Sequence, residues 1–267
     1  QVMFNDQPIN LFKGIADVAR EQEMNLLCFV GGAFHHPDRF FWLQGSIIYE
    51  LRQARVDGVI ISSALIGAFT EFAEIERFCR RYLPSPIVSL GLALEGIPSV
   101  TLDNYPGMYA AVSHLIEAHG YRRIAFIRGP VNNVEAEARY CAYCDALQAH
   151  GIAVAPELVA PGNFTMSYGH EAIRAWFDDK GFRPGREIEA IAAANDLVAL
   201  GAFQALQRRG IYVPQQIGLA GFDDMRWGEE RNPFLTTVRQ PFYEMGRRAA
   251  ELLCAQLRGE PCPPQVV

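Results

Sequence analysis

Residues 192–245 read AAANDLVALGAFQALQRRGIYVPQQIGLAGFDDMRWGEERNPFLTTVRQPFYEM, and this stretch decides the fold. A short apolar run ends at Asn195-Asp196, a helical stretch follows, and a second apolar run ends at Asp223-Asp224. A third short strand is predicted over residues 235–238. Two strands therefore carry polar side chains at their C-terminal ends, where open α/β sheets bind their ligands. The stretch predicts a ligand-binding α/β core.

The composition is that of a globular chain in an aqueous compartment. Half of the 267 residues are hydrophobic and a fifth are charged, and no apolar run reaches the roughly 18 residues that span a membrane. No basic segment followed by an apolar one opens the chain, so we expect no secretion signal and a cytoplasmic location. Because the first residue is Gln1 rather than Met, we expect a fragment of a longer protein.

The charge of the chain argues against direct binding to nucleic acid. The formal net charge is −6, and a nucleic-acid interface needs a clustered basic surface. The arginine pairs are scattered and read as solvated helix charge; they are Arg80-Arg81, Arg122-Arg123, Arg208-Arg209 and Arg247-Arg248. We therefore expect DNA contact only through an N-terminal helix-turn-helix outside this chain.

The sequence predicts neither a metal nor another cofactor. Cys141 and Cys144 form a C-x-x-C pair, but they lie in a helical pattern with no second pair at ligand spacing, and we read them as small apolar residues. His35-His36 with Asp38 lacks the fourth ligand that structural metal sites have. Disulfides are not expected in a reducing compartment. No phosphate loop, nucleophile elbow or zinc-protease motif is present, so no enzyme is predicted.

Short apolar runs alternate with helical runs along the whole chain, which predicts an α/β fold of βαβ units with parallel sheets. The predicted strands include residues 2–4, 25–30 and 188–194, and the predicted helices include residues 40–53, 71–82, 136–150 and 241–257. A single sheet would need about ten strands, so two sheets are expected. Two strands run directly into a new helix, at Leu102-Asp103-Asn104 and at Val238-Arg239-Gln240. These are the expected crossings between the two halves of the chain. The tail 265–267 is predicted to begin another strand.

The stretch from residue 192 to 245 resembles the effector-binding core of the LacI/GalR family in spacing and residue type. The resemblance implies two doubly wound parallel-sheet lobes joined by three crossovers, the type I periplasmic-binding-protein fold. It implies an N-terminal lobe of residues 1–103 plus 240–258 and a C-terminal lobe of residues 104–239 plus 259–267. Asp103 and Gln240 are then hinge residues, and a ligand between the lobes favours a closed arrangement.

The resemblance also identifies ligand-binding residues. Arg139 lies near the start of a predicted helix that follows Gly129-Pro130, and by position alone such an arginine is more often solvated than functional. The family's effector-binding arginine stands at this position, and its planar fork of donors suits paired hydroxyls or a carboxylate. Asp223 matches the family's strand-end carboxylate, Asn195 its asparagine and Phe164 its stacking aromatic. Asp196 and Asp224 are interpreted as helix and turn caps.

Three further binding residues are predicted around these. Phe242 follows the second crossing, Asn10 ends the predicted loop of residues 5–10, and Phe34 lies in the loop of residues 31–36. Each would add an apolar face or a polar anchor to the binding site. Trp42 is left open between the site, the core and a dimer interface, and Trp227 is assigned to the interface.

The resulting function is that of a sensor for a small sugar-like or nucleoside-like molecule in a LacI-type transcription regulator, working as a homodimer. The alternative is a sensor fused to a histidine kinase or a diguanylate cyclase, because the aromatic segment of residues 29–64 resembles that subgroup. A free binding protein is less favoured, since no secretion signal is seen. Sequence upstream of Gln1 or downstream of Val267 would discriminate these hypotheses.

Overall fold

The computed structural model describes residues 6–29, 32–35, 56–225 and 235–267. Two compact units are present. The N-terminal unit is formed by Asp6–Leu102 together with Pro241–Val267, and the C-terminal unit by Asp103–Gln240. The chain thus passes from one unit to the other after Leu102 and again after Gln240, at the two strand ends where crossings were expected.

The N-terminal unit contains a parallel sheet of the order β1-β2-β3-β8. Its strands are β1 (Val59–Ile61), β2 (Ile87–Leu90), β3 (Ser99–Thr101) and β8 (Gln265–Val266). Its helices are α1 (Asp6–Glu21), α2 (Ser63–Ile66), α3 (Phe72–Arg80) and α8 (Phe242–Leu257). β2 is buried along its whole length, as expected for a central strand of a sheet that is covered on both faces.

Two glycines allow α1 and α8 to pack closely. A Cβ atom on Gly14 would lie 2.1 Å from the Tyr243 carbonyl oxygen, and one on Gly246 would lie 2.1 Å from the Leu11 carbonyl oxygen. Arg247 joins the same two helices through a paired contact with Glu21, with nitrogen–oxygen distances of 2.8 and 2.9 Å. The last helix of the chain is therefore packed against the first described one.

The C-terminal unit contains a second parallel sheet of the order β5-β4-β6-β7. Its strands are β4 (Ile124–Ile127), β5 (Val159–Ala160), β6 (Ala190–Ala193) and β7 (Gly218–Ala220). Its helices are α4 (Asn104–Glu117), α5 (Val134–Ala149), α6 (Met166–Ile173) with its continuation Arg174–Asp179, and α7 (Asp196–Gln207). Residues 235–239 run parallel to the end of β7 through the bridges Ala220–Thr236 and Asp223–Arg239, where a strand was predicted.

The core of the C-terminal unit consists of its two central strands and the helices that cover them. Every residue of β4 and of β6 is buried. Trp176 is 1% exposed and donates its indole N–H to the Glu157 carbonyl at 3.1 Å, which satisfies the polar atom of a buried ring. Gly169 and Gly201 let α6 and α7 approach to backbone contact, since a Cβ on either would overlap the other helix.

Three features of the N-terminal unit differ from the sequence-based expectation. Asn25–Phe29, predicted as part of a strand, has no regular secondary structure. The tail was assigned to the C-terminal lobe, but β8 pairs with β3, and Val267 N–H donates to the Thr101 carbonyl at 2.9 Å. The free edge of β3 accepts this strand, so residues 259–267 belong to the N-terminal unit. Residues 6–10, predicted as a loop, are helical.

The predicted strand at Val2–Phe4 and the predicted helix at residues 40–53 lie outside the described residues. Within the described part of the chain, none of the helices combines the length and the apolar character needed to cross a bilayer.

Candidate functional site

The strand order of the C-terminal sheet marks where a ligand can bind. The first strand of this unit, β4, has the second strand, β5, on one side and the third, β6, on the other. In doubly wound sheets the connections diverge between such strands, and a crevice opens beyond their C-terminal ends. The residues that follow β4 and β6 therefore form the candidate site. They include Arg128-Gly129 and Ala194-Asn195-Asp196.

Arg139 lies at this edge and is buried, with 3% of its surface exposed. Its Nε group donates to Asn104 Oδ1 at 2.8 Å, and Nη1 donates to the Ala194 carbonyl at 2.8 Å. The guanidinium lies 4.0 Å above the centre of the Phe222 ring and 5.6 Å from that of Phe164. The predicted ligand arginine is thus immobilised among neutral partners at the end of β6.

No carboxylate of the described residues forms an ion pair with Arg139, whereas most of the other described arginines have one. Its Nη2 group makes no hydrogen bond within the described part of the chain. A buried cation without a counter-charge is costly to the fold. Such a group is retained where an acceptor supplied by a ligand completes its hydrogen bonds.

Phe164 is placed beside Arg139 by an unusual backbone. Its φ is +67°, a left-handed conformation that is uncommon for a residue with a side chain. Its ring packs over Gly129, where an added Cβ would come within 2.6 Å of the ring. A left-handed aromatic residue at the edge of a sheet is a sign of a functional constraint on its side-chain direction.

Asn195 is the N-cap of α7, a role that was assigned to Asp196 from the sequence. Its Oδ1 accepts from Val198 N–H at 3.0 Å, and its Nδ2 donates to the Phe164 carbonyl at 3.3 Å. Asp196 is the first residue of the helix proper. Both ends of the Asn195 amide therefore have protein partners, and one of them holds the strained Phe164.

The turn after β7 presents two consecutive left-handed aspartates. Asp223 has φ +125° and Asp224 has φ +52°. The N–H of Asp223 donates to the Val238 carbonyl at 2.8 Å, and Gln240 donates its side-chain amide to Asp223 Oδ1. Asp224 forms an ion pair with Arg239 at 2.6 Å. Asp223 is thus attached to the last residue before the second crossing.

Asp196 is fully buried next to this turn. Its Oδ2 accepts from Met225 N–H at 2.8 Å, and its Oδ1 lies 2.7 Å from the Thr237 hydroxyl. Burial is the main cause that raises the pKa of Asp196 to about 8, and the negative charge of Asp223 adds to the effect. The hydrogen bonds from Thr237 and from Met225 N–H act in the opposite direction and lower the pKa of Asp196.

The three predicted residues of the N-terminal unit have the following places. Phe34 contacts Phe78 edge to face, with ring centroids 5.1 Å apart, and packs against the core of its unit. Phe242 begins α8 and packs against the core cluster around Val100. Asn10 is exposed on α1 rather than in a loop, because the helix begins at Asp6. Binding roles for these three residues remain predictions.

Other candidates from the sequence can be placed only in part. Trp42, Trp227, His36 and Asp38 lie outside the described residues. His35 contacts Glu74 at 3.1 Å. All six cysteines are free thiols, and Cys141 is exposed on α5 while Cys144 is half-buried. Within residues 6–29, 32–35, 56–225 and 235–267, no three histidine, cysteine or acidic side chains are grouped as metal ligands would be.

Four residues that complete the site were not identified from the sequence as ligand-site residues. Asn104 and Phe222 hold the Arg139 guanidinium, Thr237 contacts Asp196, and Gln240, predicted only as a hinge, contacts Asp223. Asn104 and Phe222 each stand beside a motif residue, at Asp103-Asn104 and Phe222-Asp223. In the sequence, only their position next to a strand end marks these two residues. That position does not show which of two neighbouring side chains points toward the candidate site.

The chain resembles known proteins over most of its length. The family described as "Periplasmic binding protein-like domain" matches residues 112–267. The HTH-type transcriptional repressor CytR of Escherichia coli (strain K12) is 34% identical over 208 residues, which are 77% of this chain and 58% of the relative. The HTH-type transcriptional regulator CelR of Thermobifida fusca is 37% identical over 175 residues, which are 66% of this chain and 50% of the relative.

A solved structure has the same fold. The transcriptional regulator CelR–cellobiose complex superimposes with a TM-score of 0.78 at 28% sequence identity, covering 98% of this chain and 76% of that one. The matched region spans only half to three-fifths of the length of the two curated relatives.

Proposed function

Because the chain belongs to the periplasmic binding protein-like domain family, in the form that LacI/GalR regulators have, we propose that it is the effector-sensing part of a transcription regulator. Its ligand is a small polar molecule with a sugar or nucleoside character. The ligand is bound at the edge of the C-terminal sheet by Arg139 and Asp223, and Phe164 stacks on it. Asn195 supports Phe164 and stays a candidate for direct contact.

The single observation that carries this proposal is the state of Arg139. It is buried, it has no carboxylate partner among the described residues, and it stands at the switch point of a doubly wound sheet. Neutral oxygens satisfy two of its nitrogens, and aromatic rings lie beside its plane. Stability alone does not explain a buried arginine without a carboxylate partner, since an apolar side chain of the same volume costs less to bury.

The chemistry around Arg139 supports a polyhydroxylated ligand. A guanidinium donates to ring or hydroxyl oxygens, a carboxylate such as that of Asp223 accepts from hydroxyl hydrogens, and an aromatic face covers the apolar C–H side of a sugar. CelR, whose solved complex contains cellobiose, shows that a protein of the same fold takes a ligand of this class. For this chain a sugar is therefore the first ligand class to test.

The output of the sensor is proposed to be DNA binding. Both curated relatives named above are transcription regulators of the helix-turn-helix type, which favours this output over a kinase or cyclase. The DNA-binding part would precede this chain, the working form would be a homodimer, and the setting would be the cytoplasm. Ligand binding would act through the crossings at Asp103 and Gln240, as differential affinity for two arrangements of the chain.

The proposal is tested by ligand-induced thermal stabilisation. The parent 267-residue chain and its Arg139→Met and Asp223→Asn variants are each screened against cellobiose, ribose and cytidine. Saturating ligand at 100 times its Kd should stabilise the parent by about 2.7 kcal/mol, and both variants should lose the response. Arg183→Met is the matched control, since Arg183 is exposed and pairs with Glu187. Variants that respond as the parent does would refute the site.

A further inference from the structure

Asp196 joins three separate segments at the edge of the C-terminal sheet. It is the first residue of α7, its Oδ2 accepts from the backbone of Met225, and its Oδ1 contacts the hydroxyl of Thr237. Its own N–H donates to the Phe222 carbonyl at 2.8 Å. Phe222 and Met225 lie on either side of the turn that carries Asp223, so Asp196 holds both ends of that turn.

Gly221 shows how closely the carboxyl fits. A Cβ atom at this position would lie 2.2 Å from Asp196 Oδ1, so only glycine leaves room for the carboxyl under the start of the turn. Thr237 in turn accepts from Asp224 N–H at 3.2 Å. The left-handed backbone at Asp223 and Asp224 is costly for residues with side chains, and it is held by these contacts.

The charges around Asp196 are unfavourable to its ionised form. Asp223 and Asp224 face it from the turn after β7. Arg239, from the neighbouring residues 235–239, forms its ion pair with Asp224. Arg139 of α5 donates its hydrogen bonds to Asn104 and to the Ala194 carbonyl. In the described part of the chain, Asp196 therefore has neutral hydrogen-bond partners and no ion pair, and none of its surface is exposed.

We propose that Asp196 is a positioning residue that holds the Asp223 turn as an un-ionised acid, so that ligand binding at Asp223 is linked to a proton on Asp196. The inference rests on the proposed role of Asp223 in ligand binding. In the structure the Thr237 hydroxyl donates to Asp196 Oδ1 and Met225 N–H donates to Oδ2. In the un-ionised form the Thr237 hydroxyl turns away, so that the acid proton on Oδ1 is donated to Thr237 Oγ1 while Oδ2 still accepts from Met225 N–H. Loss of this proton places a second negative charge beside Asp223, inside the fold.

The direction of the linkage follows from desolvation. A ligand over Asp223 excludes water from the turn and makes the ionised form of Asp196 still less favourable. The bound state therefore holds the proton more tightly than the free state. Ligand affinity is then constant while Asp196 stays protonated in both states, and it falls as the pH rises through the range in which free Asp196 ionises. The raised pKa of Asp196, about 8, places that range just above neutrality.

Two variants separate positioning from mere folding. Asp196→Asn keeps the size of the side chain, offers an oxygen to Met225 N–H and donates from Nδ2 to Thr237, so it imitates the un-ionised acid. Asp196→Ala removes both contacts. Asp178→Asn is the control, because Asp178 is an exposed carboxylate of the same unit that pairs with Arg209.

The closing experiment has a ligand-free and a ligand-bound arm, both on the 267-residue chain. Carbon-13 NMR of labelled aspartates, compared between parent and Asp196→Asn, should assign a carboxyl that titrates near pH 8. With cellobiose or ribose as the probe, Asp196→Asn should bind within about threefold of the parent at pH 7 and lose the fall in affinity above pH 8. Asp196→Ala should bind the same probe about tenfold more weakly than the parent, or more weakly still.

Three results would overturn the inference. The Asp196 carboxyl could titrate below pH 5, Asp196→Asn could lose binding as completely as Asp196→Ala, or Asp196→Ala could bind as the parent does. If neither probe binds the parent, the proposed ligand class fails, while the NMR titration still decides whether Asp196 is un-ionised. If Asp196→Ala does not fold, Asp196→Asn and its pH profile decide the matter alone.

Discussion

Arg139 Nε donates a hydrogen bond to Asn104 Oδ1 at 2.8 Å, and Asn104 is the first residue of α4, directly after the crossing at Leu102-Asp103. The second charged candidate has an equivalent connection, since Asp223 accepts from Gln240, the last residue before the other crossing. Each charged ligand candidate is thus one hydrogen bond away from a crossing. This arrangement offers a short physical path from ligand contacts to the segments that join the two units.

Replacing Asn104 with Ala should weaken ligand binding by about tenfold, because a hydrogen bond to a buried charged group contributes on the order of 1.5–3 kcal/mol. The Arg139 guanidinium would lose its acceptor and its fixed orientation. Isothermal titration with the sugar or nucleoside that stabilises the parent measures the effect. Tyr105→Phe is the control, since it removes only an exposed hydrogen bond, from Tyr105 to Asp145, at the neighbouring position. Equal affinities for Asn104→Ala and the parent would contradict the positioning role of Asn104.

The stability of the chain should carry a pH-dependent contribution from Asp196. The pKa of Asp196 is raised from 3.8 to about 8 in the folded state. Its favourable contribution to the free energy of unfolding is therefore complete below the pKa of the unfolded state, and it is lost as the pH rises through the pKa of the folded state. Between these limits, the free energy of unfolding of the parent relative to Asp196→Asn should fall by about 1.4 kcal/mol per pH unit. Urea unfolding of both proteins from pH 5 to 9 measures this difference, which should level off above pH 8. Parallel profiles would show that Asp196 is ionised in the folded state.

Phe164→Leu should reduce affinity for a sugar ligand by roughly 1 kcal/mol, about fivefold, because the flat face beside Arg139 is lost. The thermal stability of the ligand-free chain should change little, since leucine tolerates the left-handed backbone no worse than phenylalanine does. Binding by titration and melting by circular dichroism measure the two effects. Tyr212→Leu removes an aromatic ring that is 68% exposed and should leave both unchanged. A loss of stability without a loss of affinity would assign Phe164 to the core.

Gly246→Ala should destabilise the N-terminal unit by about 1–3 kcal/mol. The new Cβ would lie 2.1 Å from the Leu11 carbonyl oxygen, so α1 and α8 would have to move apart. Chemical unfolding measures the change. Glu244→Ala on the same helix, where Glu244 pairs with Arg248 at the surface, should stay within about 0.5 kcal/mol of the parent. A neutral Gly246→Ala would mean that the two helices are not packed as described.

Much of the fold could be predicted from local patterns. The apolar residues 190–194 lie in a strand predicted over residues 188–194, and β6 occupies Ala190–Ala193 with every residue buried. Helical periodicity placed α3, α5 and α8 to within a few residues of their observed bounds. These patterns are reliable because burial on a sheet or on one helix face imposes a repeat on the sequence itself. The assignment of residues 259–267 to the C-terminal lobe was wrong, since a two-residue strand has no pattern that identifies the sheet it joins.

The site was predictable where a polar residue follows a strand, and it was incomplete where a contact comes from far along the chain. Arg139 is separated from Asn104 by 35 positions and from the Ala194 carbonyl by 55. Asp196 and Thr237 are 41 positions apart. No spacing rule connects residues at such separations. The interpretation of Asp196 as the helix cap was wrong, because Asn195 is the cap and Asp196 instead contacts the distant Thr237.

The sequence by itself determined the alternation of strands and helices and the two crossings, because each depends on residue type within one short segment. Arg139 and Asp223 became binding candidates only through the resemblance to the LacI/GalR family. Only the tertiary structure decided that Arg139 is buried without a carboxylate partner among the described residues, that Asn195 caps α7, and that Asp196 is enclosed beside Asp223. These properties depend on which side chains of distant segments meet at the edge of the sheet. The raised pKa of the buried Asp196 carboxyl and the neutral hydrogen-bond partners of the Arg139 guanidinium are consequences of surroundings that no single segment contains.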